Sequence, residues 1–295
     1  MIHWKITLAY DGTPYRGWQV QPGLPTVQGL LAEAIERTVG ERVLPQGSGR
    51  TDTGVHALAQ VASFALAATI PAANLHRALN RCLPASIRVL SVEAVAPMFH
   101  ARHSATGKTY EYRIFPLKGE GIEPIGAASR EVASLQPLSL RRDVVERICP
   151  PTLAPFVWPC PWPLDLAAMN RAAQAVVGTH DFTSFAACDP DLSTRGAAQS
   201  PADAEPRSNI RSISHSCWQF VDGLVIYRVT ANGFLHHMVR NLVGTFVQVG
   251  AHRFAPDSIP ALLAARNRSA AGPTAPASGL FLVSVDYPST EDSER

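Results

Sequence analysis

Long hydrophobic runs are missing from this 295-residue chain, and no apolar stretch approaches the ~20 residues that a helix needs to span a bilayer. Met1 to Tyr10 alternates polar and apolar side chains, so the charged start and apolar run of a secretory signal are missing as well. Cysteine is scarce. Cys82, Cys149, Cys160, Cys188 and Cys217 are odd in number, widely spaced and without a C-x-x-C pair, which speaks against a disulfide framework or a zinc ribbon. These gaps predict a soluble protein of the reducing cytoplasm with no membrane segment. An excess of one charge is lacking too: the net charge is +2, which permits an anionic partner without announcing nucleic acid. No G-x-S-x-G, H-E-x-x-H, Rossmann or Walker fingerprint occurs, and the commonest hydrolase, zinc-protease, dinucleotide and NTPase readings go with them.

The hydrophobic share of 46% and charged share of 17% are ordinary for a chain that collapses around a core. The length suits two domains or one large one. Ile2, Trp4, Ile6, Leu8 and Tyr10 have the two-residue period of a strand with one buried face. From Val27 the spacing turns helical through Leu30, Leu31, Ala34 and Ile35, with Thr26 as N-cap and Gly40 just past the end. Short strands around Arg42 to Leu44 and Gln60 to Leu66, a helix through Leu75, Ala78, Leu79 and Cys82, and a strand Ile87 to Val95 complete a βαββαβ order, which closes as a ferredoxin-like sheet. The second half repeats the series: strand Thr109 to Phe115, helix Leu166 to Val177 behind Asp165, strands Asn209 to Phe220 and Leu224 to Thr230, helix Leu235 to Val249, strand Leu280 to Tyr287. Proline-dense Lys118 to Pro163 and polar Asp189 to Arg207 interrupt it as expected surface loops.

Chemistry concentrates in Gly47-Ser48-Gly49-Arg50-Thr51-Asp52-Thr53-Gly54-Val55-His56, three glycines around one Arg and one Asp between two predicted strands. Such a loop can turn both side chains into a cleft; it equally suits a plain turn in which Arg50 and Asp52 pair. It lacks the GKS/T ending and helix of a phosphate-cradling loop. Tyr110 and Tyr112 share one strand face, as core residues or as a platform for bases, with Arg102, Lys108 and Arg113 near in sequence as phosphate anchors. On the helix from Leu235, His236 and Arg240 stand one turn apart, so Arg240 projects at a site or into solvent. His236 and His237 point in different directions on a helix, and His100 and His103 have no Cys or acidic cluster beside them, so no metal site is expected.

Four blocks in order, Tyr10-Asp11-Gly12 with Tyr15-Arg16-Gly17-Trp18-Gln19, Gly49 to His56, Phe99-His100-Ala101-Arg102, and His236-His237-Met238-Val239-Arg240-Asn241, resemble the TruA-type tRNA pseudouridine synthases, and the resemblance extends to Gly279 to Tyr287. It implies an α+β fold of two ferredoxin-like domains, residues 1–107 and 108–295, with antiparallel sheets side by side and a catalytic cleft between them. It implies a homodimer gripping one transfer RNA, no cofactor and no metal, and isomerisation of uridine to pseudouridine at tRNA positions 38–40, on the 3′ side of the anticodon stem and loop. By resemblance Asp52 is the catalytic nucleophile, Arg240 its partner, Tyr110 the ring that stacks on the uracil, Arg50 a basic neighbour and Leu280 an apolar contact to the base. The residue types suit the chemistry. A uracil that leaves C1′, rotates and rejoins through C5 must be flipped out and confined, next to a carboxylate kept ionised by an arginine.

The long segment 118–163 and the acidic 189–207, with Asp189, Asp191, Asp203 and Glu205, depart from that pattern and bear on tRNA choice, since carboxylates facing phosphate repel it. Two other readings compete: a non-catalytic RNA binder using aromatic-bearing sheets, and a carboxylate-dependent nucleoside or sugar hydrolase. A carboxylate beside phosphates is of no use to the first, and the second needs a second acid that does not stand out near Asp52.

Overall fold

The computed structural model describes residues 1–118, 147–187 and 208–288. Their strands form one ten-stranded mixed sheet, which runs β4-β1-β3-β10-β5-β9-β8-β7. The strands are β1 (Ile2–Tyr10), β2 (Gln46–Gly47), β3 (His56–Leu66), β4 (Ile87–Val95), β5 (Gly107–Pro116), β6 (Trp158–Cys160), β7 (Gly178–Asp181), β8 (Ile210–Val221), β9 (Leu224–Ala231) and β10 (Leu280–Asp286). β2 pairs with β3 and β6 with β5, off that path. Among the described residues no helix is long and apolar enough to cross a membrane, and Cys82, Cys149, Cys160 and Cys217 are free thiols.

Local signals account for the elements. β1 buries Trp4, Ile6, Leu8 and Tyr10, the alternate residues of its pattern. Helix α1 (Val27–Val39) starts where the Thr26 side chain accepts the Gly29 N–H, and it ends where Gly40 takes a left-handed φ of 75°. Helix α2 (Ala72–Cys82) packs on β4 and α1. Leu31, Ile35, Leu75 and Leu79 are fully buried on these helices, each contributing roughly 1.5–3 kcal/mol. In the second half α3 (Leu166–Gln174), capped by Asp165, packs on β8 and on α4 (Met238–Gly250). One contiguous core runs through both halves.

Four expectations need correcting. The two sheets are not separate antiparallel units: β10 pairs parallel with β3 and antiparallel with β5, fusing the halves into one mixed sheet, because the last strand covers edges that β3 and β5 would otherwise expose. The short strand expected at Arg42 to Leu44 lies at Gln46–Gly47. The helix expected from Leu235 begins at Met238, because His237 at φ 58° turns the chain left-handed just before it. The part of 118–163 that is described is not all surface loop, since β6 joins β5 in parallel and Val157 and Cys160 are buried. Residues 119–146 and 188–207, with Cys188 and the four acids of the second segment, lie outside the described residues.

The seam positions the site. β3 has β1 along one edge, while its other edge is shared between β10 at His56 and Ala57 and β2 at Ala62 and Ser63. The loop of residues 48–55 leaves the sheet at this division. Leu280 begins the inserted strand opposite Tyr112, and Leu282 pairs with Tyr110.

Candidate active site

The loop carrying Asp52 is clamped by the segment after β1. The Trp18 N–H donates to the Thr51 carbonyl at 3.0 Å, and the Tyr10 hydroxyl meets the Thr51 hydroxyl at 2.8 Å. Gly17, at φ 87°, lies so close that a Cβ there would stand 2.6 Å from the Thr51 oxygen, and at Gly12 one would meet the Val55 oxygen at 2.0 Å. Asp52 then opens a tight turn: its carbonyl accepts from the Val55 N–H at 3.1 Å, with Gly54 at φ 77° in the third position. On the other flank the Gln60 amide donates to the Gly49 carbonyl at 2.9 Å, and its oxygen accepts from the Ser48 hydroxyl at 2.6 Å. The Lys108 ammonium donates to the Ser48 carbonyl at 2.6 Å. The loop is therefore held by backbone and buried polar groups on both sides, which preorganises the carboxylate.

His56 closes this block as a structural residue. Its Nδ1 accepts from the Gly12 N–H at 3.1 Å, so Nε2 carries the proton and donates to the Pro155 carbonyl at 3.1 Å. Burial pushes its pKa down, against the pull of Asp11, and the buried ring stacks on Phe281.

Three side chains from the second half converge on the carboxylate. Arg240 Nη1 lies 3.3 Å from Asp52 Oδ2, His237 Nε2 3.2 Å from Oδ2, and His236 Nε2 3.4 Å from Oδ1. The side chains of Asp52 and Arg240 are 22% and 15% exposed. Arg240 is fixed by its own Nε, which donates to the Ala275 carbonyl at 2.7 Å. Burial raises the Asp52 carboxyl, but the His236 hydrogen bond and the charges of His237, His236 and Arg240 outweigh it and hold the group below the usual carboxylate range. His237 is itself pushed down by burial and by His236, Arg240 and Arg268, against Asp52. Arg240 is thus the dependable charge at neutral pH, and His237 chiefly a hydrogen-bond donor.

Asp52 and Arg240 open onto a cleft of about 870 Å³, and Arg50, Tyr110 and Leu280 line it too. All five site residues expected from the sequence are brought together. Tyr110 is nearly buried, edge-on to Phe234 with centroids 5.0 Å apart, and burial raises its hydroxyl well above the ordinary value, with Tyr10 and Asp52 adding to the effect. The phenol therefore stays neutral where it lines the cleft. Tyr112 is instead core, its hydroxyl donating to the Pro276 carbonyl. Among the described residues lining the cleft Asp52 is the single acid, surrounded by Arg16, Arg50, Arg102, Lys108 and Arg240. A rim of this sign suits a phosphate backbone.

Trp18, Gln60 and Phe234 escaped the sequence reading as site residues, and so did the joint aim of the two histidines; Lys108, expected as a phosphate anchor, also holds the Ser48 carbonyl of the catalytic loop. The glycines of the first block were a signal for the clamp, since close backbone approach needs them. Nothing local marks Gln60.

A model of the tRNA pseudouridine synthase family matches residues 6–104 and 172–288, which contain Arg50, Asp52, Arg240 and Leu280, with Tyr110 between the two spans. A tRNA pseudouridine synthase A of Solibacter usitatus is 45% identical over 96% of this chain and 98% of its own length. Proteins of the same name from Moorella thermoacetica and Rhodopseudomonas palustris strain BisB5 are 42% and 40% identical, over 96% and 97% of this chain and 98% and 100% of theirs. Likeness that spans both halves, and not one motif alone, accompanies a cleft whose only acid among the described residues meets an arginine from the far half, and on it this chain belongs to the tRNA pseudouridine synthase family.

Proposed function

We propose that this tRNA pseudouridine synthase isomerises uridines at positions 38–40 in the anticodon arm, with Asp52 as the nucleophile toward the flipped nucleotide. In the net reaction the N1–C1′ bond breaks, C5–C1′ forms and the C5 proton is exchanged for one on N1. No electrons are gained or lost overall. The observation that carries the reading is the carboxylate of Asp52, held below its ordinary pKa by His236, His237 and Arg240 and the single acid among the described residues lining a basic cleft. A carboxylate attacks only when charged, and Arg240 supplies both charge and orientation. Tyr110 would stack on the uracil, Leu280 would confine its edge, and Arg50 would meet the adjoining backbone. Uracil must stay bound while detached, and a flipped base trapped between apolar faces is the economical way to achieve it.

The domain reading goes with this. Residues 1–107 and 108–295 are two ferredoxin-like halves, a view supported by the parallel orders β4-β1-β3 and β10-β5-β9-β8, in which the last main strand of each half neighbours the first. A homodimer gripping one tRNA, and a cytoplasmic setting, complete the proposal.

The test is direct. Wild type and Asp52→Ala are incubated with unmodified tRNA transcript and pseudouridine is mapped chemically. Wild type should modify the anticodon arm and Asp52→Ala should not, while both bind the transcript similarly, because one carboxylate adds little to affinity for a polyanion. Near-normal turnover by Asp52→Ala refutes the nucleophile, and modification elsewhere refutes the site.

A further inference from the structure

Asp52, His236 and His237 each offer one donor atom, and the three atoms lie within 4.8 Å of one another. His237 Nε2 stands 3.2 Å from one carboxylate oxygen and His236 Nε2 3.4 Å from the other. A tetrahedral zinc-type ion with bonds of about 2.0–2.1 Å to nitrogen and oxygen needs ligand atoms about 3.3 Å apart. Each histidine nitrogen already stands at about that distance from one of the two carboxylate oxygens. The left-handed His237 and the stacking of the two imidazoles, centroids 3.9 Å apart and planes 29° from parallel, turn both Nε2 edges toward the same carboxylate. Chain geometry, and not chance side-chain swing, therefore sets the donors.

We propose that Asp52, His236 and His237 bind a divalent first-row transition ion of the zinc type, and that the bound ion silences the cleft. Imidazole and carboxylate suit zinc, cobalt and nickel, and three protein ligands leave a fourth position open to the cleft. The ion and an incoming nucleotide compete for the same carboxylate lone pairs. Arg240 opposes the ion, lying 3.3 Å from Oδ2 and anchored independently at Ala275. A carboxylate oxygen has two lone pairs, so the guanidinium and the ion coexist there, at a cost in affinity from like charge. The expected binding is weaker than at a structural zinc site. Among the described residues no other group of three such donors forms.

The experiment titrates chelator-treated full-length protein with Zn2+ by calorimetry, and with Co2+ followed by visible absorption. One saturable equivalent is expected, with visible ligand-field bands and no thiolate charge-transfer band. Asp52→Asn, His236→Gln and His237→Gln should each weaken binding at least tenfold. His215→Ala removes a histidine 3.0 Å from the Cys217 sulfur and should change nothing. No saturable binding, binding indifferent to the three substitutions, or a thiolate band overturns the site. The silencing rests on the proposed function and is read separately. Zinc-loaded enzyme should form pseudouridine at least tenfold more slowly and recover with chelator, and a fully active loaded enzyme overturns the silencing. If metal-free enzyme makes no pseudouridine at all, the functional reading has failed, while the calorimetry still judges the metal site.

Discussion

Replacing Gly17 by alanine should slow catalysis far more than it destabilises the protein, and Gly23 supplies the control. Both glycines have left-handed backbones, φ 87° and 70°, so alanine at either costs about 1–2 kcal/mol in strain. A Cβ at Gly23 meets nothing within 4 Å, whereas at Gly17 it lies 2.6 Å from the Thr51 oxygen, 3.1 Å from the Asp52 carbonyl carbon and 3.2 Å from the Thr53 nitrogen. Ordinary contact needs roughly 3.5 Å, so the Thr51 to Thr53 backbone must retreat by roughly 0.9 Å. The Trp18 to Thr51 hydrogen bond and the Asp52 turn stand in the way. A misplacement of about 1 Å costs on the order of 100-fold in rate. The assay is single-turnover pseudouridine formation at a temperature where thermal melts find both variants folded. Gly23→Ala should melt a few degrees lower and keep nearly full activity, and Gly17→Ala should lose roughly two orders of magnitude. Equal activities in the two variants would refute the idea that the first glycine-rich block clamps the catalytic loop.

Arg240→Leu removes one of the charges that hold Asp52 below its ordinary pKa, so the acid limb of the pH–rate profile should move to higher pH; an unmoved limb would assign the effect to the histidines alone. Because Asp52 is depressed in the folded state, its ion pairing contributes stability above the unfolded value of about 3.9 and loses it as pH falls through the folded value. The stability gap between wild type and Arg240→Leu should therefore close below about pH 4, as denaturant melts would record. Tyr110→Phe should retain most activity and Tyr110→Ala very little, measured as kcat/KM on one transcript; equal losses would implicate the hydroxyl. Lys108 is pushed down to about 8 by burial, with Arg102 and Arg211 adding to the shift, while an unfolded lysine titrates near 10.4. Between those values the unfolded chain binds the extra proton, so stability gains with rising pH. Lys108→Met should lack that gain in urea melts from about pH 8 to 10 and should also slow catalysis by freeing the Ser48 carbonyl.

Much of the fold was legible because its signals are local. Thr26 and Gly40 bound α1, Asp165 caps α3, and the alternation of Trp4, Ile6, Leu8 and Tyr10 describes β1. Capping and periodicity act within a few residues and survive in any context. The helix start at Met238 was misjudged by three residues, because apolar spacing continues through Leu235 and nothing in the sequence marks the left-handed turn at His237. β6 was hidden among prolines, as a three-residue strand has too short a period to detect.

The sequence by itself determined the two series of strands and helices and the residue types of the chemistry. Only the tertiary structure decided what those residues do together. Asp52 and Arg240 are 188 positions apart, and they meet because β10 enters parallel to β3 and draws the second half against the first. The two histidines, which would diverge on a helix, converge because the chain turns left-handed before the helix begins. Charge obeys the same division. A net charge of +2 says nothing of a cleft where Asp52 is met by arginines, since composition sums over the whole surface and a site is made by which charges the fold brings within a few ångströms.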